Sequence, residues 1–250
     1  MHIPDGILPT AVCVGGYATA GAATWYSLRK IGQEENPQEG IPKASLLTAA
    51  FFVASWIHIP VPPTSVHLVL NGLLGAVLGY YAFPAILVGL FFQAVMFQHG
   101  GLTTLGVNAA VMGLPALLAY HVFRLRRVFA PRSPCPPNLP KLGGMGGGGA
   151  RGESRVWSGV FGFLAGAGGL GISALFSLAL LITTIPAHLD VEAERVTIYA
   201  LSLAHVPLMA LEGVFTVLVV LFIQRVKPEL LEDGFPLPPF PPTLGGQGGG

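Results

Sequence analysis

The sequence predicts an all-α membrane protein: a bundle of about seven transmembrane helices, its N-terminus external and folded into the bundle, its C-terminus cytoplasmic. Three observations carry this expectation. Of the 250 residues, 52% are hydrophobic and 10% charged, against about 25% charged in an ordinary soluble domain. Mean hydropathy is +0.65, so the chain has too little charge to cover a soluble surface. Apolar runs of near-spanning length recur along it, and the basic residues gather on alternate connections. The net charge of +1 leaves no surplus of Lys and Arg for phosphates, which excludes a nucleic-acid partner. Cys13 and Cys135 lie far apart without CxxC spacing, so no disulfide or thiolate zinc site is expected.

The segments follow in order. Met1 to Gly6 carries no Lys or Arg and the first basic residue is Arg29, so a secretory n-region is missing and the N-terminus is expected to be retained. Ala11 to Leu28 is a Gly-rich first span ended by Arg29 and Lys30, and Ala44 to Ile59 is a slightly short second one. His67 to Tyr81 and Pro84 to Gln98 are two further segments with almost no loop between them. Both fall below the roughly 20 residues that a spanning helix needs, so one or both are expected to be buried in protein or to open near one surface. Thr104 to Phe123 is the fifth span, Val156 to Ile185 the sixth and Val196 to Ile223 the seventh.

With seven spans and an external N-terminus, every Lys and Arg except Arg195 falls on one side. The positive-inside rule makes that side cytoplasmic. Residues 1–225 thus read as one integral membrane unit. Within it Pro131 to Arg151 is a flexible Pro/Gly cytoplasmic linker, and residues 231–250 form a disordered Pro/Gly-rich tail. No GxxxxGK[ST] pattern occurs, so ATP hydrolysis by a Walker mechanism is not encoded here. Gly75 with Gly79 and Gly162 with Gly166 have the spacing that lets helix backbones approach closely in lipid.

The seven histidines are the informative polar residues. In the seven-span arrangement His2, His58, His67 and His99 all reach the external side. His205 lies inside the last span, His121 near the cytoplasmic end of the fifth, and His188 in the last external loop. Clustered imidazoles suit transition metals. The start Met1-His2-Ile3-Pro4 sharpens this, because the α-amine of Met1 and the amide and imidazole nitrogens of His2 can chelate one ion in a plane. Such a set suits Ni(II) or Cu(II) better than tetrahedral zinc, and the fourth nitrogen is open to His67, His58 or His99. Asn108 and Glu212 are polar groups inside apolar spans, candidates for function by default. The Gly-rich run from His99 to Asn108 reads as a polar turn entering the fifth span, capped by Thr103 or Thr104. An intramembrane enzyme is a competing class, but no HExxH motif is present. A purely structural membrane subunit is another.

MHIPDG at the start, SVHLVLNGLLG at Ser65 to Gly75, HGGLTTLGVNAAVMG at His99 to Gly113 and HVPLMALEG at His205 to Gly213 resemble the CbiM/NikM family. These are the substrate-binding S components of energy-coupling-factor (ECF) transporters for cobalt and nickel, and the resemblance covers nearly all of residues 1–225. It implies a multi-pass protein of the inner (plasma) membrane, not an enzyme, that holds its ion through the Met1 amine, the His2 amide and imidazole, and His67. It implies as partners a transmembrane coupling (T) protein, two ATPase subunits and a small auxiliary membrane protein. The Ser65-Val66-His67 context departs from the cobalt-type pattern. The expected cargo is therefore Ni(II), with Co(II) uptake for cobalamin synthesis as the alternative.

Overall fold

The computed structural model describes residues 2–61, 64–129, 147–185 and 191–231. The protein is mostly helical. Helix α1 spans Thr10–Ile31, α2 Gly40–Ala54, α3 Asn71–Leu78, α4 Ala82–Phe97, α5 Leu105–Arg124, the short α6 Arg126–Phe129, α7 Gly147–Thr183 and α8 Val191–Val226. Among the described residues four helical runs are long and apolar enough to cross a membrane, at 71–97, 105–129, 155–183 and 191–226. Large apolar side chains such as Trp25, Leu203 and Phe222 are more than half exposed on the outer faces, as lipid-facing helices require.

Three segments depart from the expected spans. The second, expected to run to Ile59, ends as a helix at Ala54, and the chain turns into an antiparallel hairpin of β1 (His58–Val61) and β2 (Thr64–His67). An all-helical chain is thus corrected to a helical one with a two-stranded clip. The Ile-Pro-Val and Thr-Ser-Val runs favour this, since Pro lacks the N–H a helix needs and β-branched residues suit a pleated strand. In register, His58 stands opposite His67.

The third and fourth segments are one helical hairpin. Asn71 donates to the Met112 carbonyl at 3.2 Å, Gly75 lies against Ala116 and Gly79 against Tyr120, whereas Phe83 is already back at Gly113 and Gly100 at Asn108. The chain therefore descends beside α5 and returns beside it. The reversal is the 3-10 turn Gly79–Tyr81, with Gly79 at φ +61°, a backbone state that suits Gly. At 1.5 Å per residue α3 is only about 12 Å long, and all eight of its residues are buried. It is an inner half-helix rather than a span. Linker residues 147–151 fall in the start of α7, whereas 130–146 and 232–250 lie outside the described residues.

The core lies where α3, α4, α5 and α7 meet, around Leu74, Phe83, Ile86 and Met112. Asn71 ties it together: its Nδ2 shares two hydrogens among Met112 O, Gly169 O and Ser173 Oγ (2.7 Å), and its Oδ1 accepts Gly72 N–H. Small residues set the crossings. A Cβ on Gly75 would stand 2.0 Å from Ala116 O and one on Gly72 2.2 Å from Ala165 O, while a Cβ on Gly168 would meet nothing within 4 Å. Gly75→Val should accordingly destabilise the folded protein by about 3 kcal/mol, and Gly168→Ala should stay within about 0.5 kcal/mol of it. Unfolding midpoints in one detergent check both, and equal midpoints would contradict the close crossing.

Candidate metal centre

The site begins with the N-terminal segment, which is stitched to the entrance of α5. Asn108 meets residue 3 as one peptide meets another: Ile3 N–H donates to Asn108 Oδ1 at 3.0 Å, and Asn108 Nδ2 donates back to Ile3 O at 3.0 Å. Thr104 Oγ1 adds a 2.6 Å bond to the same carbonyl. The Ile3 side chain is buried with Leu8, Val107 and Val111. Asp5 accepts the amides of Leu102 and Thr103 (3.2 and 2.9 Å) and the Thr103 hydroxyl. The Thr103 hydroxyl, first, and these amides hold its carboxyl below the usual range. Gly101 is required here, since a Cβ would stand 1.9 Å from Asp5 Oδ1, and Gly100 has φ +87°. The His99–Asn108 run is thus the receptor for residues 2–5, and Thr103 and Thr104 bind that segment instead of forming a side-chain cap on α5.

This stitching sets His2 among other imidazoles. His2, His67 and His99 bring ring nitrogens within 4.8 Å of one another. The His2 ring centroid is 4.9 Å from His67 and 4.2 Å from His99. His99 Nε2 is buried with no hydrogen-bond partner. His58 stands further out, exposed, 6.0 Å from His67 and 6.4 Å from His99. Met1 and His188 lie outside the described residues. His121 packs on Tyr80 and Tyr120 away from the cluster. His205 is buried in α8, its Nδ1 donating to Leu201 O at 2.7 Å, and it shares a cavity of about 180 Å³ with His2. Glu212 approaches the backbone just after His67, accepting Val69 and Leu70 N–H. A larger cavity of about 660 Å³, against α1, α2 and α4, has an apolar lining remote from these imidazoles.

The hydrogen bonds fix the protonation of the central pair. His67 Nδ1 faces Leu68 O at 3.0 Å; a carbonyl only accepts, so Nδ1 carries the proton and Nε2 keeps its lone pair. His2 is set by a longer chain. Ser55 Oγ donates to Phe52 O (2.7 Å), Gln93 Nε2 donates to Ser55 Oγ (3.0 Å), and Gln93 Oε1 therefore accepts from His2 Nε2 (2.8 Å). His2 Nδ1 is left with its lone pair, and it lies 3.2 Å from His67 Nε2. Two lone pairs that close repel, and a shared cation between them removes the conflict.

Burial, before any other cause, holds the imidazoles neutral. It pushes His67 down to about 3, His2 well below its ordinary value and His99 below it too, with the neighbouring imidazoles acting in the same direction. Neutral imidazole is the form that ligates a metal. Gln93 and Ser55 are not among the residues expected from sequence; their one signal is the single amide, Gln93, inside the otherwise apolar run of α4.

These residues lie in a chain whose positions 2–230 match the family model for the cobalt uptake substrate-specific transmembrane region, CbiM. The chain belongs to the CbiM family. It is a cobalt/nickel transport component of the CbiM/NikM type, a multi-pass membrane protein and not an enzyme. It is 33% identical over 231 residues, 92% of this chain and 97% of the relative, to a Haemophilus influenzae protein named for metal transport. It is 29% identical to the cobalt transport protein CbiM of Sorangium cellulosum, over 93% of this chain and 95% of that one. A fused nickel transport protein of Rhodobacter capsulatus is 38% identical over 117 residues, 46% of this chain and 33% of that one. The crystal structure of a transition metal transporter shares the fold at a TM-score of 0.67 and 23% identity, covering 90% of this chain and 93% of that one.

The buried neutral imidazoles make the metal-free protein acid-sensitive. Folded His67 takes a proton only near pH 3, whereas an unfolded histidine takes one near 6.5. Stability from this group is therefore complete above 6.5 and falls as pH drops through that window. The thermal midpoint of the metal-free protein should decline between about pH 7 and about pH 4.5, and His67→Gln should flatten the decline. A wild-type midpoint that stays level across that range would contradict neutral burial.

Proposed function

We propose that this chain is the substrate-capturing S component of an ATP-driven ECF importer, and that its cargo is Ni(II). The ion is held at the external face by the Met1 amine, the amide and Nδ1 of His2, and His67 Nε2. The observation that carries this reading is the facing pair of lone pairs, His2 Nδ1 and His67 Nε2, 3.2 Å apart. Consecutive amine, amide and imidazole nitrogens lie in one plane, and low-spin Ni(II) gains most from four nitrogens so arranged. At a nitrogen site nickel also stands above cobalt in affinity. Cobalt is the second reading, favoured by the partnerless His99 Nε2, which offers a nitrogen beyond the plane for a five-coordinate ion.

The absence of a nucleotide motif from the sequence makes energy a matter for partners: a transmembrane T protein, two ATPase subunits and a small auxiliary membrane protein. The basic connections face the cytoplasm, with α3 as an inner half-helix and the imidazoles on the opposite side.

A tag placed before Met1 should abolish nickel binding, because it converts the amine to an amide, while a C-terminal tag is tolerated. Metal analysis and visible absorption of the purified protein check this, the expected product being yellow and diamagnetic. Equal nickel binding by both tagged forms would overturn the chelate, and retention of cobalt with rejection of nickel would reverse the choice of cargo. For the orientation, Gly146→Cys in a Cys13→Ser, Cys135→Ser background should resist an impermeant thiol reagent in intact cells. Labelling without permeabilisation would place the basic loop outside.

A further inference from the structure

We infer that Glu212 is a positioning residue for His67, holding the imidazole through a single peptide group and so joining the ion site to α8. This rests on the reading of His67 as a ligand. The peptide between Leu68 and Val69 is engaged at both ends. Its carbonyl accepts from His67 Nδ1 at 3.0 Å, and its N–H donates to Glu212 Oε1. The same oxygen accepts Leu70 N–H at 3.1 Å. Glu212 Oε1 therefore orients the plane whose carbonyl fixes the tautomer and tilt of the imidazole, and that tautomer leaves Nε2 free for the ion.

The surroundings make the arrangement specific. Glu212 is 1% exposed, and a buried carboxyl inside a membrane helix is costly enough to need a use. Its Oε2 is buried without a partner, so both amides converge on one oxygen although two are available. Leu70 sits in the left-handed region at φ 54°, and α3 has no side-chain cap of its own. A non-Gly residue there is strained and persists when its surroundings hold it. The carboxyl from α8 supplies that hold by accepting the Val69 and Leu70 N–H groups that lead into α3. Polar partners of this kind orient a ligating histidine, and their loss commonly costs 10–100-fold in metal affinity.

The consequence is mechanical. A shift of α8 along its axis moves the 68–69 peptide and with it His67 Nε2, so the helix and the ion each bias the other's position.

The test uses nickel and the full chain. Glu212→Asp keeps the carboxyl but withdraws the oxygen by about one bond length, and Glu212→Gln keeps an acceptor oxygen at the original reach. Thr216→Val, one turn along α8, is the control for a buried polar change. Glu212→Asp should weaken nickel binding about tenfold and move the visible band of the bound ion toward that of His67→Ala. Glu212→Gln should stay within about threefold of wild type, and Thr216→Val should match it. In a His67→Ala background, where the chelate of residues 1 and 2 still binds, Glu212→Asp should have no further effect. Wild-type affinity and band in Glu212→Asp would overturn the inference, as would an equal loss in the His67→Ala background, which would place its action elsewhere. Should His67→Ala bind nickel as wild type does, the ligand assignment itself fails, a result distinct from both.

Discussion

Two nitrogen lone pairs held face to face are the constraint that the rest of this structure serves. Neither His2 nor His67 would keep that orientation by itself, because each neutral ring can hold its proton on either nitrogen. One chain of bonds through Gln93 and Ser55 commits His2, and one carbonyl commits His67. The first chain reaches into α4 and α2, the second into the backbone leading to α3. The distance between the rings is therefore set by helix packing, and the close crossings of Gly72 and Gly75 bear on the chemistry of the site. Closer-packed helices carry less slack, and a ligand set built on them loses little order when its ion arrives.

The membrane explains why the polar groups are so thoroughly paired. In hydrocarbon an unmet N–H or C=O costs several kcal/mol, and the non-helical backbone around the site is satisfied by protein. The β1–β2 clip does this internally. Residues 2–5 do it through Asn108, Thr104, Asp5 and Thr103. Leu68 to Leu70 do it through a histidine and a glutamate. Outside the clip, each irregular stretch that forms the site has a polar partner on a helix beside it, Asn108 for residue 3 and Glu212 for residues 69 and 70.

The long helices were legible because apolar length is written in composition, and the ends of α1, α5 and α8 fall within a few residues of the expected ones. The clip was not, and the half-helix was legible only as a run too short to span and so expected to be buried in protein. His67 to Tyr81 reads as one apolar run, yet its first residues spend their hydrogen bonds on α8 and on the clip, and only the reversal at Gly79 reveals two directions. The imidazoles were legible as a set but not as a geometry. Position along the chain gave no ranking among His58, His67 and His99, and only the family resemblance singled out His67; in the structure His67 Nε2 lies 3.2 Å from His2 Nδ1 while the His58 ring is 6.0 Å from that of His67. Gln93 is a single amide in α4, and nothing local to it points to residue 2, 91 positions earlier. Asp5 and Gly101 form a similarly distant pair, visible only once both are placed.

That distance has a bearing on assembly. Residues 3 and 5 cannot settle until α5 and the loop before it exist, because Asn108, Thr104 and the loop at 101–103 are made about a hundred positions later. Until α5 is inserted, the leading segment has no seat and its imidazole no partner. The imidazole cluster is thus closed by residue 2 returning to it across that distance. Under the proposed ligand set, a protein caught before that return has its helices in the membrane but an incomplete ion site, so capture of cargo would double as a sign that insertion has run to order.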